Sequence, residues 1–229
     1  MYLSKWLMKS IKNQEQREVK LNIGCGPTGQ IKGFDNLDNS PSVLLSRIPV
    51  LKMALYKLSI INKHQYKADW SGVIRCDVSR RLPYRNEKVD KIYTSHFLEH
   101  IPQKKGVRFL WECHRVLKKD GIMRLVVPDL LWHAERYVEG TKALMEESAL
   151  PYDRKAHDTF LKTIYGAYLT HKWYGAEHRY MYDFPTLVSI LKEIGFKRIL
   201  KYDYQEGEDE ELATYDSRPE DSLHLEFLK

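Results

Sequence analysis

The stretch "LNIGCGPTG", Leu21 to Gly29, runs from a short apolar segment into a loop spelled G-x-G-x-x-G. A dinucleotide-binding loop with that spelling needs a strand before it, a full helix after it and an acidic residue about 20 positions on. The strand is present, since "VKLNI" from Val19 is apolar and carries β-branched residues. The helix is not. Only Pro27 to Gly33 separate Gly26 from the next strand-like run, "GFDNL" from Gly33, and this linker contains a proline and two glycines, so at most one helical turn fits. Asp38, the acidic residue closing that run, comes early for a nicotinamide cofactor. The glycines still allow close approach of the backbone to a ligand and permit positive φ, but Gly29 has no helix to pack. A nicotinamide dinucleotide is therefore the least favoured ligand.

Outward from this loop, further strand-like runs follow: "GVIRC" from Gly72, "VDKIYT" from Val89, "GIMRLVV" from Gly121, "FKRILKY" from Phe196 and "LHLEF" from Leu223. Between the fourth and fifth, Val107, Leu110, His114 and Leu117 recur at helical spacing, predicting a helix from Pro102 to Lys119 closed by "KKDG". "FPTLVSILKEIG" predicts another, with Pro185 in its first turn and Gly195 at its stop. Seven strands alternating with helices imply an α/β three-layer sandwich around a mostly parallel sheet, built as a single domain over residues 1–229. Two segments interrupt the alternation. Pro41 to Lys67 is a basic apolar helical insertion, carrying Arg47, Lys52, Lys57, Lys63 and Lys67 without an Asp or Glu. Leu130 to Tyr182 is helical in pattern and dense in Tyr, Trp and His, placed where α/β folds add substrate-side structure.

The order "LNIGCG", "NLD", "CDV", "VDKIYTSHFLEHI" and "RVLKKDGIMRLVVPD", covering Val19 to Asp129, resembles the class I S-adenosylmethionine-dependent methyltransferases, in particular the type 11-like branch of small methyltransferases. The resemblance extends more weakly to "YMYDFPTLVSILKEIGF". It implies a seven-stranded Rossmann-like sheet in the methyltransferase order, with the last strand antiparallel. It also implies S-adenosylmethionine as cofactor: Asn22, Gly24, Cys25 and Gly26 around its amino-acid part, Asp38 on the ribose hydroxyls, Asp77 and Val78 at the adenine edge, and Ser95 and His96 beside the reactive methyl. The carboxylate roles are chemically sound, because a carboxylate can accept from two vicinal hydroxyls or from an exocyclic amine. Where the family usually has an acidic residue before the glycines this chain has Asn22, and Cys25 reads as a small filler rather than a nucleophile.

"HFLEH", His96 to His100, spells H-x-x-E-H, a zinc signature that works only on a continuous helix. Pro102 follows, and its ring would clash with the Leu98 carbonyl of such a helix. A strand-to-loop passage is expected instead, with no metal, His96 facing the methyl site, and Glu99 and His100 capping the next helix. If the acceptor is a hydroxyl, a side chain within hydrogen-bond reach takes its proton. The candidates are His96, Asp129, His133 and His178. Trp132, Tyr137, Tyr165, Trp173, Tyr174 and Tyr180 offer walls for a saccharide or planar substrate, or else pack in the core.

The expected activity is O-methylation of a sugar, glycan precursor or other small metabolite. Two alternatives stand beside it: a nucleic-acid methyltransferase, and a protein that binds S-adenosylmethionine without catalysis. "TSHFLEH" lacks the Asn/Asp, paired prolines and aromatic that mark amino-methylating nucleic-acid enzymes, which makes a nucleic-acid partner the weaker expectation. The composition, 43% hydrophobic and 30% charged over 229 residues with mean hydropathy −0.53, is that of a globular protein with a substantial core. Cys25, Cys76 and Cys113 form no C-x-x-C pair, which fits a reducing, cytoplasmic setting. A net charge of +6 suits an anionic partner. Residues 1–18, an amphipathic basic helix in pattern, and 41–67 offer peripheral contact with the inner face of a membrane; the competing reading makes 41–67 a lid packed on the cofactor site.

Overall fold

The computed structural model of the chain describes residues 18–146, 164–165, 177–219 and 221–229, with only the backbone of residues 140–146. The helix expected over 1–18 therefore lies outside the described residues, apart from Glu18.

β1 (Lys20–Ile23) has Leu21 and Ile23 wholly buried and pairs in parallel with β2 (Asp35–Asp38) on one side and β4 (Val89–Ser95) on the other. An apolar run with both faces covered is what a central parallel strand requires. β3 (Val73–Arg75) continues the sheet beyond β2, and β5 (Leu117–Pro128) lies beyond β4. β7 (Ser222–Leu228) inserts antiparallel between β5 and β6 (Lys197–Tyr202), giving the order β3-β2-β1-β4-β5-β7-β6. The seven-stranded, mostly parallel sheet and its antiparallel last strand thus match expectation. Strand order reverses at β1, so the crevice at the C-terminal ends of β1 and β4 is where this topology places a ligand.

The Gln103–Val116 helix buries Gly106, Phe109, Leu110, Cys113 and Val116, and the Phe184–Ile194 helix buries Leu187, Leu191 and Ile194. Both stripes recur at three and four residues and join one core with Leu21, Ile23, Ile92 and Leu125. Asp183 caps the second helix by accepting from the Thr186 amide, and Gly195 closes it at φ +108°. A smaller apolar cluster of Ile31, Phe34, Tyr93, Val126 and Leu212 is formed with the short Glu210–Ala213 helix.

The structure corrects two expectations of element and placement. The helix predicted to reach Lys119 ends at Val116, and "KKDG" belongs to the strand: Leu117 already pairs with Val89, and a bulge with Asp120 at φ +62° carries the chain to the next pair, Lys91 with Ile122. The 41–67 segment forms three short helices, Pro41–Ser46, Pro49–Lys57 and Lys63–Lys67. Of these, the first packs Val43 against Cys25 of the glycine loop and Trp70, while the other two bury no residue, so only the first helix packs toward the glycine loop. Leu130–Glu146 is helical, and most of the rest of the 130–182 segment lies outside the described residues. Among the described residues no helix is long and apolar enough to cross a membrane.

Candidate active site

The loop after β1 is held from below. Asn22, 2% exposed, donates both amide hydrogens, to the Gly29 carbonyl and to Asn36 Oδ1, each at 2.7 Å. The structure thus makes Asn22 a brace for the glycine loop. Gly29 also has work there: its amide donates to the Cys25 carbonyl at 3.0 Å, and a Cβ would stand 2.5 Å from that same oxygen. The third glycine serves a tight turn rather than a helix. Cys25 is buried, and burial with the neighbouring Asp38 charge pushes its thiol up to about 12, so it is no nucleophile at neutral pH.

Asp38 ends β2 with its carboxylate clamped, accepting from the Gly26 amide at 2.9 Å and the Ser40 amide at 2.7 Å. Each oxygen keeps a lone pair for a further donor. Asp77 follows β3. Its carboxyl is held below the usual range by the Ser79 hydroxyl and amide, which donate at 2.6 and 3.1 Å. Asp38, Asp77 and Val78 line one cleft of about 440 Å³ with Gly24, Leu37, Phe97, Ile101 and Pro102. Two carboxylates on a partly apolar cleft fit a nucleoside: hydroxyls and an exocyclic amine for the acids, a flat base for Ile101 and Pro102. Lys105 and Arg179 add positive charge to its wall, and neither was marked by the sequence.

A second cleft of about 450 Å³ opens on the other side of Gly24 and His96 and takes in Cys25, Thr28, Gln30, Ser95, Ser217 and Arg218. Gly24 and His96 line both clefts. His96 itself is held at φ +49°, a region a histidine adopts at a cost, and its amide donates to the Val126 carbonyl at 2.9 Å. Its Nε2 lies 3.3 Å from Ser222 Oγ, and Ser222 in turn donates to Asp221 at 3.1 Å. Ser222 went unnoticed in the sequence because only the antiparallel register, Pro128 opposite Ser222, brings the start of β7 to the end of β5.

The other candidates divide. Asp129 is 7% exposed; it accepts from the Leu131 amide at 3.0 Å, lies 3.6 Å from Lys201 Nζ and lines neither cleft. His133 is as buried, and burial holds its imidazole below the ordinary value against the opposing pull of Asp221 and Asp129. His178 stands against His100, ring centroids 5.0 Å apart. Glu99 and His100 do not cap the following helix. They lie on a 3-10 turn, Leu98–His100, with Glu99 fully buried, and the cap position is Pro102 with no side-chain bond. Of the aromatics, Tyr180 packs on the core, Trp132 meets His133 edge-on and Arg136 as a cation, and Tyr165 is exposed. Trp173 and Tyr174 lie outside the described residues.

A mostly parallel sheet with this strand order, and a glycine loop after β1, define a Rossmann-like fold. Residues 21–125 match the family model described as "Methyltransferase domain". That match, over a little under half of the chain, is to a methyltransferase domain, and S-adenosylmethionine is the cofactor such a domain implies. Among solved structures it is similar in fold to an S-adenosylmethionine-dependent methyltransferase from Archaeoglobus fulgidus, at 14% identity over 100% of this chain and 93% of that one, TM-score 0.50. A Thermotoga maritima protein described as a possible histamine N-methyltransferase matches at 11% identity over 96% of this chain and 86% of that one, TM-score 0.50. No curated protein matches the chain.

Proposed function

We propose that this methyltransferase acts on a hydroxyl of a saccharide or a comparable small polar acceptor, with His96 receiving the proton. The observation that carries the reading is the position of His96 where the two clefts meet. One side holds the carboxylates suited to a nucleoside. The other is walled by side-chain hydroxyls, amides and Arg218, which can hydrogen-bond a polyol. When bound, the cofactor supplies an electrophilic methyl on a sulfonium centre. The chain supplies position: Asp38 and Asp77 hold one end, the Gly24 turn lets the backbone come close, and His96, steadied by Ser222, stands within reach of the acceptor proton.

The test has two stages. Calorimetry with S-adenosylmethionine, its demethylated product and NAD is expected to show binding of the first two only, weakened about 10- to 100-fold in Asp38→Ala, as suits the loss of hydrogen bonds to a charged group worth about 1.5–3 kcal/mol. Release of the demethylated product is then followed over a panel of saccharides and RNA. Transfer to RNA alone supports the nucleic-acid alternative, and tight cofactor binding with no transfer to any acceptor supports a non-catalytic role.

A second reading, contact with an anionic membrane surface, is supported by the 41–67 segment. Leu44, Ile48, Val50, Leu51, Met53, Tyr56, Leu58 and Ile60 are all exposed there, Val50 by 74%, among five cations and no acids. An apolar patch rimmed with lysines is the composition of an interfacial segment.

A further inference from the structure

We propose that Glu99, His100 and His178 form a divalent-metal site beside His96, and that the metal takes an oxygen of the methyl acceptor. The starting point is Glu99. Its side chain is 1% exposed, and neither carboxylate oxygen has a hydrogen-bond partner among the described residues. A buried carboxylate left unpaired is costly, and a protein keeps one where a cation or a proton completes it. The groups facing it are imidazoles: His96 Nδ1 at 3.4 Å and His100 Nε2 at 3.8 Å, both from Oε1. The second distance is too long for a hydrogen bond. It suits two ligands sharing an ion, since donors each about 2.0–2.2 Å from a metal lie no more than about 4 Å apart.

The orientation of His100 points the same way. Its Nδ1 lies 3.0 Å from the Glu177 carbonyl. A proton on Nδ1 directed at that carbonyl leaves Nε2 with its lone pair toward Glu99, the arrangement in which a backbone carbonyl fixes the tautomer of a ligating histidine. His178 arrives from a distant segment. The Arg179 and Tyr180 amides donate to the Glu99 carbonyl at 2.7 and 3.3 Å, which ties that segment to the Glu99 turn. Donor atoms of Glu99, His100 and His178 all lie within 4.8 Å of one another, against about 3.4 Å between ligands of a tetrahedral ion, so small side-chain rotations close them on one ion.

The H-x-x-E-H spelling does not act here as a helical zinc motif. Its 3-10 turn lets Glu99 point inward beside His100, and the third ligand comes from 78 positions further along the chain, at His178. Two imidazoles and a carboxylate suit zinc, iron, cobalt or manganese and leave coordination positions open. His100 lines the cofactor cleft beside His96, so an ion held on His100 would border the place where the two clefts meet. An acceptor hydroxyl on the metal is made more acidic. As its oxygen–methyl bond forms, the sulfur–methyl bond breaks, sulfur keeps the electron pair, the hydroxyl proton passes to His96, and the metal is unchanged.

This inference rests on the hydroxyl-acceptor reading for the metal's role, and its test separates the two. Chelator-treated full chain is titrated with Co²⁺, Zn²⁺ and Mn²⁺, following the cobalt absorption spectrum and, by calorimetry, stoichiometry. One equivalent of metal is expected, with affinity reduced at least about 100-fold in both Glu99→Gln and His178→Ala, while both variants keep wild-type affinity for S-adenosylmethionine. Absence of stoichiometric binding, or binding unchanged in the two variants, overturns the site. Transfer to a saccharide that persists in chelator overturns the metal's role while leaving the acceptor reading intact. Stoichiometric metal lost in the variants, with no saccharide methylated, supports the site and overturns the acceptor.

Discussion

At Gly24 two demands meet in one residue. The backbone sits at φ +73°, and a Cβ would fall 2.5 Å from the Phe97 ring. Phe97 cannot simply yield, because it packs edge-on against Phe109 of the core at a centroid distance of 5.5 Å. Gly24→Ala therefore carries both left-handed strain of about 1–2 kcal/mol and a displaced aromatic at the mouth of the cofactor cleft. The expected result is a lower melting temperature together with at least about tenfold weaker S-adenosylmethionine binding, measured by scanning calorimetry and titration. Gly26 is a useful contrast: it has positive φ, but nothing stands within 4 Å of its Cβ position. Gly26→Ala should then lose stability through strain alone, with a smaller change in affinity than Gly24→Ala. Equal losses of affinity in the two variants would remove the steric argument.

At the scale of elements, the half of the sheet away from the cofactor acids is fastened by buried charge. Arg124 on β5 is wholly buried; its Nε and Nη2 donate to Asp216 and its Nη1 to Glu226 on β7, the last at 2.6 Å. Glu226 also accepts from the Glu208 and Asp209 amides, so the network ties β5, β7 and the 203–216 loop together. Arg124→Met leaves two carboxylates buried without a counter-charge, at a cost of about 3–5 kcal/mol. Urea unfolding should show that loss, whereas a triple replacement of Arg124, Asp216 and Glu226 by apolar residues of similar volume should recover most of it. None of this network was legible in the sequence. Strands such as "KLNI" and "VDKIYTS" could be read because burial on both faces writes itself as apolar residues, and Asp38 and Asp77 because they close successive strands. Arg124, Ser222 and Glu99 look like surface residues in a linear chain. Their burial depends on the antiparallel register of β7 and on a 3-10 turn, neither of which leaves a periodic signal.

For the whole molecule, acid and surface charge govern behaviour. Burial holds His224 below its ordinary value despite Asp216, with Arg124 adding to the depression, and holds His114 down together with Lys229 and Lys197. The unfolded chain therefore takes up these protons first, near pH 6.5, and stability falls as pH drops below that value. Glu112 and Glu211, depressed by Arg115 and by Lys20, extend the loss as they protonate at lower pH. Unfolding measured from pH 8 to pH 4 should decline in this order, and replacing His114 by Gln should flatten the upper part. The surface of the 41–67 helices leads to a different measurement. Lys52 is already engaged by the Ala68 carbonyl at 2.9 Å, and Tyr56 stacks on Tyr66 at 4.4 Å, so the helices are held in a fixed relation while Val50, Leu58 and Ile60 remain 74, 70 and 64% exposed. Each lysine near an anionic leaflet contributes about 1 kcal/mol, screened within a Debye length. The chain should co-sediment with vesicles rich in phosphatidylglycerol, release in about 1 M salt, and ignore phosphatidylcholine vesicles. Val50→Ser with Leu58→Ser should weaken binding at every salt concentration, and Lys57→Glu chiefly at low salt, with S-adenosylmethionine affinity unchanged in both. Equal binding to the two lipids would show that the cations of this segment do not face a membrane.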